Sequence, residues 1–188
     1  MPAFGHPFDY GQAPLEGQGS HPAPEPLAAR RVNRCPANKP TLIGREEHLT
    51  AVLGLLADTH LLCLVGSGGV GKTRMALEVA DRLEAQFEHG VCYVELAPVS
   101  NPALVTSTLA SALGVHQEFK RPLMETLLDY LRARSLLLIL DNCEHVIDSC
   151  AILAEQVLAS SAGTRMLATS REALKVFGEV AWRLPSLR

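Results

Sequence analysis

The sequence has little excess charge and no long apolar run, and each shortage argues against a class of function. Its 17 basic and 20 acidic residues give a net charge of −3, so no strongly basic surface favours direct nucleic-acid binding by this segment. Apolar runs such as Leu136 to Leu140 are far shorter than the roughly 20 residues that cross a membrane. With no signal-peptide pattern at the N-terminus, the sequence predicts a cytoplasmic protein without membrane contact.

The cysteines form no pattern that is typical of a metal site or a disulfide framework. There are five of them, an odd number, and no Cys-x-x-Cys pair occurs. Cys63 and Cys92 lie in apolar runs, so we interpret them as small buried hydrophobic residues in a reducing compartment.

Proline divides the chain into two parts. Eight of the twelve prolines fall within residues 1–40, where no apolar periodicity occurs. This stretch predicts a flexible Pro/Gly-rich tail or linker, and residues 41–188 predict one folded domain.

Short apolar runs and amphipathic helical patterns alternate through the second part. The runs predict five strands, at 60–65, 90–96, 136–141, 164–169 and 179–184. Because helical patterns lie between these runs, we expect a parallel α/β sheet with helices on both faces.

A glycine-rich segment between the first strand and the next helix carries the strongest chemical signal. It matches G-x-x-x-x-G-K-T, in which backbone N–H groups and a helix N-terminus surround phosphate oxygens. We expect Lys72 to reach the β- and γ-phosphates and the Thr73 hydroxyl to bind Mg²⁺. The predicted cofactor-binding residues here are Gly66, Ser67, Gly68, Gly69, Val70, Gly71, Lys72, Thr73 and Arg74.

Two further strand ends supply polar groups. The apolar run Leu136 to Leu140 ends in Asp141, a carboxylate placed to hold Mg²⁺ through water, although such an Asp can also only cap a helix. Arg171 follows the fourth strand, and ligands of such sheets bind at the carboxyl ends of strands. We therefore expect Arg171 to face the γ-phosphate, the alternative being a surface arginine.

Together these segments resemble the nucleotide-binding domain of STAND-class P-loop ATPases, of the NB-ARC type found in bacterial winged-helix or LuxR-type transcriptional regulators. The matching stretches, within residues 41–187, are TLIGREEHL, LVGSGGVGKTRMALEVA, GVCYVELAPVSNPALV, LLLILDNCEHVID, GTRMLATSREAL and EVAWRLPSL. The resemblance implies a three-layer fold with strand order 5-1-4-3-2. It also implies ATP or ADP with Mg²⁺ as cofactors, adenine contacts near Leu42, Ile43 and Arg45, and γ-phosphate sensing by Arg171. Protein partners or self-association are expected in the full-length context.

The sequence departs from that family in two places. No segment matches the helical and winged-helix subdomains that follow the fifth strand in the family, so we expect the domain to lack them. Asn142 stands where many relatives carry a second acid, and an amide cannot act as a general base. Asn142 could orient a water, or Glu144 could substitute for it. The catalytic candidates are Asp141, Asn142 and Arg171, with slow hydrolysis expected.

The leading interpretation is a nucleotide-gated signalling switch, part of a transcriptional regulator. A turnover ATPase or small-molecule kinase is the first alternative, and the sequence shows no arginine-rich lid for it. The second is a degenerate interaction module, which the intact Lys72, Thr73 and Asp141 oppose.

Overall fold

The computed structural model describes residues 32–36, 42 and 44–186. The strands are β1 (Val32–Arg34), β2 (Leu61–Val65), β3 (Gly90–Glu95), β4 (Leu136–Asp141), β5 (Thr164–Ser170) and β6 (Glu179–Arg183). The α-helices are α1 (Glu46–Asp58), α2 (Lys72–Leu83), α3 (Val105–Leu113), α4 (Leu123–Arg132) and α5 (Ile147–Ser160). Short 3₁₀ turns cover Glu84–Gln86, Pro102–Leu104 and Cys143–His145.

All strand pairs are parallel, and the sheet order is β1-β3-β4-β5-β2-β6. Read from the other edge and without β1, this is the predicted order 5-1-4-3-2, which is thereby confirmed. Val65 pairs with Ser170 and Glu95 with Asp141, so the strands end nearly level. Their carboxyl ends consequently share one edge of the sheet.

The sheet separates two hydrophobic cores, as a three-layer fold requires. On β4, Leu136, Leu138 and Leu140 pack into the core that contains α3, α4 and α5. The alternate residues Leu137 and Ile139 pack into the core beneath α1 and α2. The period-two alternation along the strand explains why β4 is apolar throughout, because both of its faces are buried.

The short strand β1 is a sixth strand beyond the five that the sequence predicted. Val32–Arg34 falls within the stretch assigned to the tail, yet it pairs with β3 and buries Val32 at the sheet edge. Three residues among prolines are too few to show strand periodicity, which is why the sequence did not indicate this strand. The remaining tail, 1–31 and 37–40, lies outside the described residues.

The crossover from β5 to β6, residues 171–178, contains no helix, contrary to the expectation that helices separate all the strands. Leu174 and Val176 are buried instead and take the place of an apolar helix face. The Glu179 carboxylate accepts the N–H groups of Leu174 at 2.9 Å and Lys175 at 2.6 Å, which holds this crossover in place. A side chain thus satisfies backbone donors that a helix would have paired internally.

Candidate functional site

The glycine-rich loop leaves β2 and enters α2 at the carboxyl edge of the sheet. Gly71 has φ 98°, a left-handed conformation that costs a residue with a side chain about 1 kcal/mol or more. Ser67, Gly68 and Gly69 are exposed, and the first turn of α2 contains no acidic residue. The partial positive charge of the helix N-terminus therefore acts on the loop without neutralisation by its own side chains.

Lys72 is folded over this loop. Its Nζ donates to the carbonyl oxygens of Gly66 at 2.8 Å and Ser67 at 3.0 Å, and the side chain is buried. Two carbonyl dipoles are weak partners for an ammonium group, and phosphate oxygens in the loop would form stronger charge-assisted bonds. The structure thus places the predicted cation inside the loop with partners that an anion can replace.

Asp141 ends β4 beside α2 and is buried. The Thr73 hydroxyl lies 3.0 Å from both of its carboxylate oxygens. Two more hydroxyls donate to the same carboxylate, from Tyr93 at 2.9 Å and from Thr169. Burial, followed by the charge of Asp141, raises the pKa of Tyr93 well above its ordinary value, so this phenol remains a proton donor.

Sequence reasoning missed Tyr93 and the role of Thr169. They lie on β3 and β5, the two strands that flank β4, and both face its carboxyl end. The predicted strand order was the available signal, because it places β3 and β5 on either side of β4. Polar residues near the carboxyl ends of β3 and β5 then lie close to the Asp that ends β4.

Asn142 follows Asp141 with φ 67° and ψ 54°, a left-handed conformation that asparagine tolerates. Its backbone N–H donates to the Thr169 hydroxyl at 2.9 Å. Its side-chain amide lies 3.5 Å from Nδ1 of His145, whose Nε2 contacts the carbonyl oxygen of Val99 at 2.9 Å. The residue is at the predicted place, and its amide already has a protein partner.

Arg171 lies across the phosphate loop. Its Nη2 is 3.9 Å from the position that a Cβ on Gly68 would occupy. Its Nε donates to Oε1 of Glu144 at 3.1 Å, and its side chain is 68% exposed. The structure therefore brings Arg171 to the loop, where its role toward a phosphate stays a prediction.

Two of the three residues predicted to contact adenine are among the described residues. Leu42 is half-buried against the α1–α2 core, and Ile43 lies outside the described residues. Arg45 is buried and donates from Nη2 to the carbonyl oxygen of Val70 at 2.9 Å. Arg74 is exposed on α2.

A cavity of about 300 Å³ lies at the loop. It is lined by Arg45, Ser67, Gly68, Gly69, Val70 and Ser186. Nη1 of Arg45 is buried and has no hydrogen-bond partner within the described residues. A buried donor of this kind costs about 1–3 kcal/mol unless something accepts from it.

The donor set fits a Mg²⁺-nucleotide. Mg²⁺ prefers oxygen ligands and is commonly held by one or two carboxylates together with phosphates and water. Thr73 and Asp141 supply a hydroxyl and a carboxylate in direct contact. Lys72, the loop amides and the start of α2 supply positive charge beside them.

A family model described as "AAA domain" matches residues 57–177, which include the loop, Asp141 and Arg171. The chain belongs to the AAA domain family. It is accordingly a P-loop ATPase domain of the AAA type, with the five-strand order found above.

Bacterial regulators are among the relatives of this AAA domain. A Mycobacterium tuberculosis protein provisionally named an HTH-type transcriptional regulator is 41% identical over 133 residues, covering 71% of this chain and 15% of that protein. The regulatory protein AfsR of Streptomyces griseus is 30% identical over 171 residues, covering 81% of this chain and 17% of AfsR. The chain thus spans about one sixth of the length of these relatives.

Solved structures share the fold of this AAA domain. Cdc6p from Pyrobaculum aerophilum superposes with a TM-score of 0.58 at 17% identity, covering 80% of this chain and 48% of Cdc6p. A STAND protein with a tetratricopeptide repeat sensor from Pyrococcus horikoshii gives 0.52 at 15% identity, covering 88% and 26%. At these identities the two neighbours show that the fold is shared, in one case with a protein of the STAND class.

Two kinds of feature are absent from the described residues. No helix there is long and apolar enough to cross a membrane. Nor do three or more His, Cys, Asp or Glu side chains gather there as a metal-binding group.

Proposed function

We propose that this AAA domain binds Mg²⁺-ATP and Mg²⁺-ADP and acts as a nucleotide-gated switch within a bacterial transcriptional regulator. The observation that carries the proposal is the meeting of Lys72, Thr73 and Asp141 at one edge of the sheet. The cation, the hydroxyl and the carboxylate stand where a phosphate chain and its metal need them.

Each of these residues exchanges a protein partner for the ligand. The Lys72 ammonium leaves the Gly66 and Ser67 carbonyls and binds the β- and γ-phosphates. The Thr73 hydroxyl, which now donates to Asp141, would supply an oxygen ligand to Mg²⁺, and the Asp141 carboxylate would help to hold the metal. Tyr93 and Thr169 continue to donate to Asp141 and fix the orientation of its carboxylate.

Arg171 distinguishes the triphosphate from the diphosphate, because only the γ-phosphate extends from the loop to its guanidinium. The Arg45 group with no partner among the described residues supports a ligand acceptor at the other end of the loop cavity, where we place the nucleoside.

The regulatory context rests on the relatives. Two carry names that denote regulators, and this chain corresponds to a small part of each. We propose that the nucleotide state is passed to protein partners, or to further copies of the chain, in the full-length protein. DNA contact is assigned to other parts of such a protein, since this segment has a net charge of −3.

Binding calorimetry with Mg²⁺-ADP and Mg²⁺-ATP tests the proposal. Lys72→Ala should weaken both by about ten- to a hundredfold, since a charge-assisted bond contributes roughly 1.5–3 kcal/mol. Lys120→Ala is the matched control, because Lys120 is an exposed loop residue stacked on Phe119. Equal affinity of the wild type and Lys72→Ala would refute the site.

A further inference from the structure

We propose that Glu144 is a positioning residue that holds Arg171 in the orientation needed to bind the terminal phosphate, so that preference for ATP over ADP depends on Glu144. The proposal rests on the nucleotide-binding function proposed above and adds to it a residue outside the phosphate loop and the metal site.

Glu144 is the fixed member of this ion pair. Its side chain is 17% exposed, against 68% for Arg171. It belongs to the 3₁₀ turn Cys143–His145, in which Cys143 is fully buried and the His145 ring contacts the Val99 carbonyl at 2.9 Å. A side chain on so constrained a turn can orient a partner that is largely solvated.

The contact is made by one specific atom of Arg171. Glu144 accepts from Nε, at 3.1 Å, while Nη2 lies near Gly68 of the phosphate loop. Because the guanidinium is planar, fixing Nε on Glu144 also fixes the direction of both Nη groups. Glu144 therefore orients the edge of Arg171 that faces the loop and does not compete for that edge.

The second oxygen of Glu144 supports a functional purpose. Oε2 is buried and has no hydrogen-bond partner in the part of the chain that the structure describes. A buried acceptor without a donor costs about 1–3 kcal/mol, so Glu144 is held beside Arg171 at a cost in stability. A cost of this kind calls for an explanation, and a functional role is one.

The consequence is specific to the triphosphate. ADP has no γ-phosphate to reach Arg171, so orienting the guanidinium does not affect ADP binding. An arginine released from Glu144 would have to be ordered when ATP binds, which weakens ATP binding alone.

The test is a double-mutant cycle on the full chain, with calorimetric affinities for Mg²⁺-ADP and for a non-hydrolysable ATP analogue. Glu144→Ala should weaken the analogue about five- to tenfold and leave ADP unchanged, as expected for the cost of ordering one long side chain on binding. In the Arg171→Ala background, Glu144→Ala should have no further effect. Glu144→Gln keeps an acceptor for Nε and should retain most of the preference. Glu155→Ala, an exposed position on α5, is the control.

Several results would overturn the proposal. The first is that Glu144→Ala leaves the affinity for the analogue unchanged. The second is that it increases this affinity, as expected if Glu144 competes with the phosphate for Arg171. The third is that it lowers the affinity by the same factor in the wild-type and Arg171→Ala backgrounds. A loss shared by ADP, or a lowered Tm that accounts for it, would make Glu144 structural. If Glu144→Ala does not fold, Glu144→Asp, whose shorter side chain draws the carboxylate away from Nε, takes its place in the cycle. A wild type that binds neither nucleotide would refute the proposed function itself, whereas normal ADP binding with an unresponsive Glu144 refutes only this inference.

Discussion

The amino and carboxyl ends of the sheet each carry a cavity, and the two cavities differ in size and in the hydrogen bonding of their polar groups. At the amino ends of the strands lies a cavity of about 500 Å³, larger than the one of about 300 Å³ at the phosphate loop. Its walls combine apolar side chains such as Leu53 and Phe87 with His60, Arg82 and Arg165.

Three basic side chains in the walls of the amino-end cavity have protein partners. Arg165 donates to the Leu56 carbonyl, Arg82 is paired with Glu78, and the His60 ring lies 3.4 Å from the Thr164 carbonyl. At the carboxyl end, by contrast, Arg45 and Glu144 each bury an atom that lacks a partner within the described residues. The buried Arg45 atom lines the smaller cavity, so this cavity is the better candidate for a ligand site even though the other is larger.

After Lys72→Ala, the largest loss of nucleotide affinity at the carboxyl end is expected from Asp141→Asn. It should weaken the Mg²⁺ complex of ADP by at least about tenfold while affecting metal-free ADP much less, because it removes charge from the metal's surroundings. Matched titrations with Mg²⁺ and with a chelator measure the difference. Asp58→Asn makes the same chemical change at the amino end and should alter neither titration. Equal losses with and without Mg²⁺ would make Asp141 structural.

At the amino end of the sheet, Gly163→Ala should lower stability without affecting nucleotide binding. A Cβ there would lie 2.5 Å from the carbonyl oxygen of Arg134, so the backbone must shift, at a cost of about 1–3 kcal/mol. Thermal unfolding should show a Tm lower by several degrees, roughly 2–4 °C for each kcal/mol, with nucleotide affinity unchanged.

The control for this variant is Gly54→Ala on α1, where a Cβ meets nothing within 4 Å. It should stabilise the helix by about 0.5–1 kcal/mol. A Gly163→Ala variant that kept its Tm but lost nucleotide affinity would contradict the separation of the two ends.

The smallest expected effect concerns turnover. Hydrolysis by the wild type should be slow, about 10⁻⁴ to 10⁻² s⁻¹ as in switch-type P-loop proteins, because Asn142 cannot take a proton from the attacking water. Asn142→Asp should raise the rate several-fold in a phosphate-release assay. A wild-type rate of about 1–100 s⁻¹ would favour a turnover enzyme. A slow wild type with no response to Asn142→Asp would leave the switch intact and refute this explanation of its slowness.

Features set by local pattern could be predicted from the sequence. The apolar run ending at Val65, the glycine that ends α3 with φ 72°, and the Asn101 side chain that caps the following turn all have local causes. The strand order was obtained through the family resemblance and is the order observed.

Features that depend on neighbouring strands could not be predicted in this way. The hydrogen bond from Tyr93 to Asp141 requires the register of β3 on β4, and the Glu144–Arg171 pair joins the ends of β4 and β5. In the crossover after β5, which contains no helix, backbone N–H groups donate to Glu179 on the following strand. The hydrophobic periodicity of the sequence carries no information about these contacts between strands.

Hydrogen exchange measured by mass spectrometry, with and without Mg²⁺-ADP, tests the central claim at both ends of the sheet in one experiment. Bound phosphate would accept from the loop amides, so protection should appear in peptides covering residues 66–75 and disappear in Lys72→Ala. Peptides covering 53–60 and 161–165, around the larger amino-end cavity, should be unchanged. Protection at the amino end with none at the phosphate loop would contradict the account.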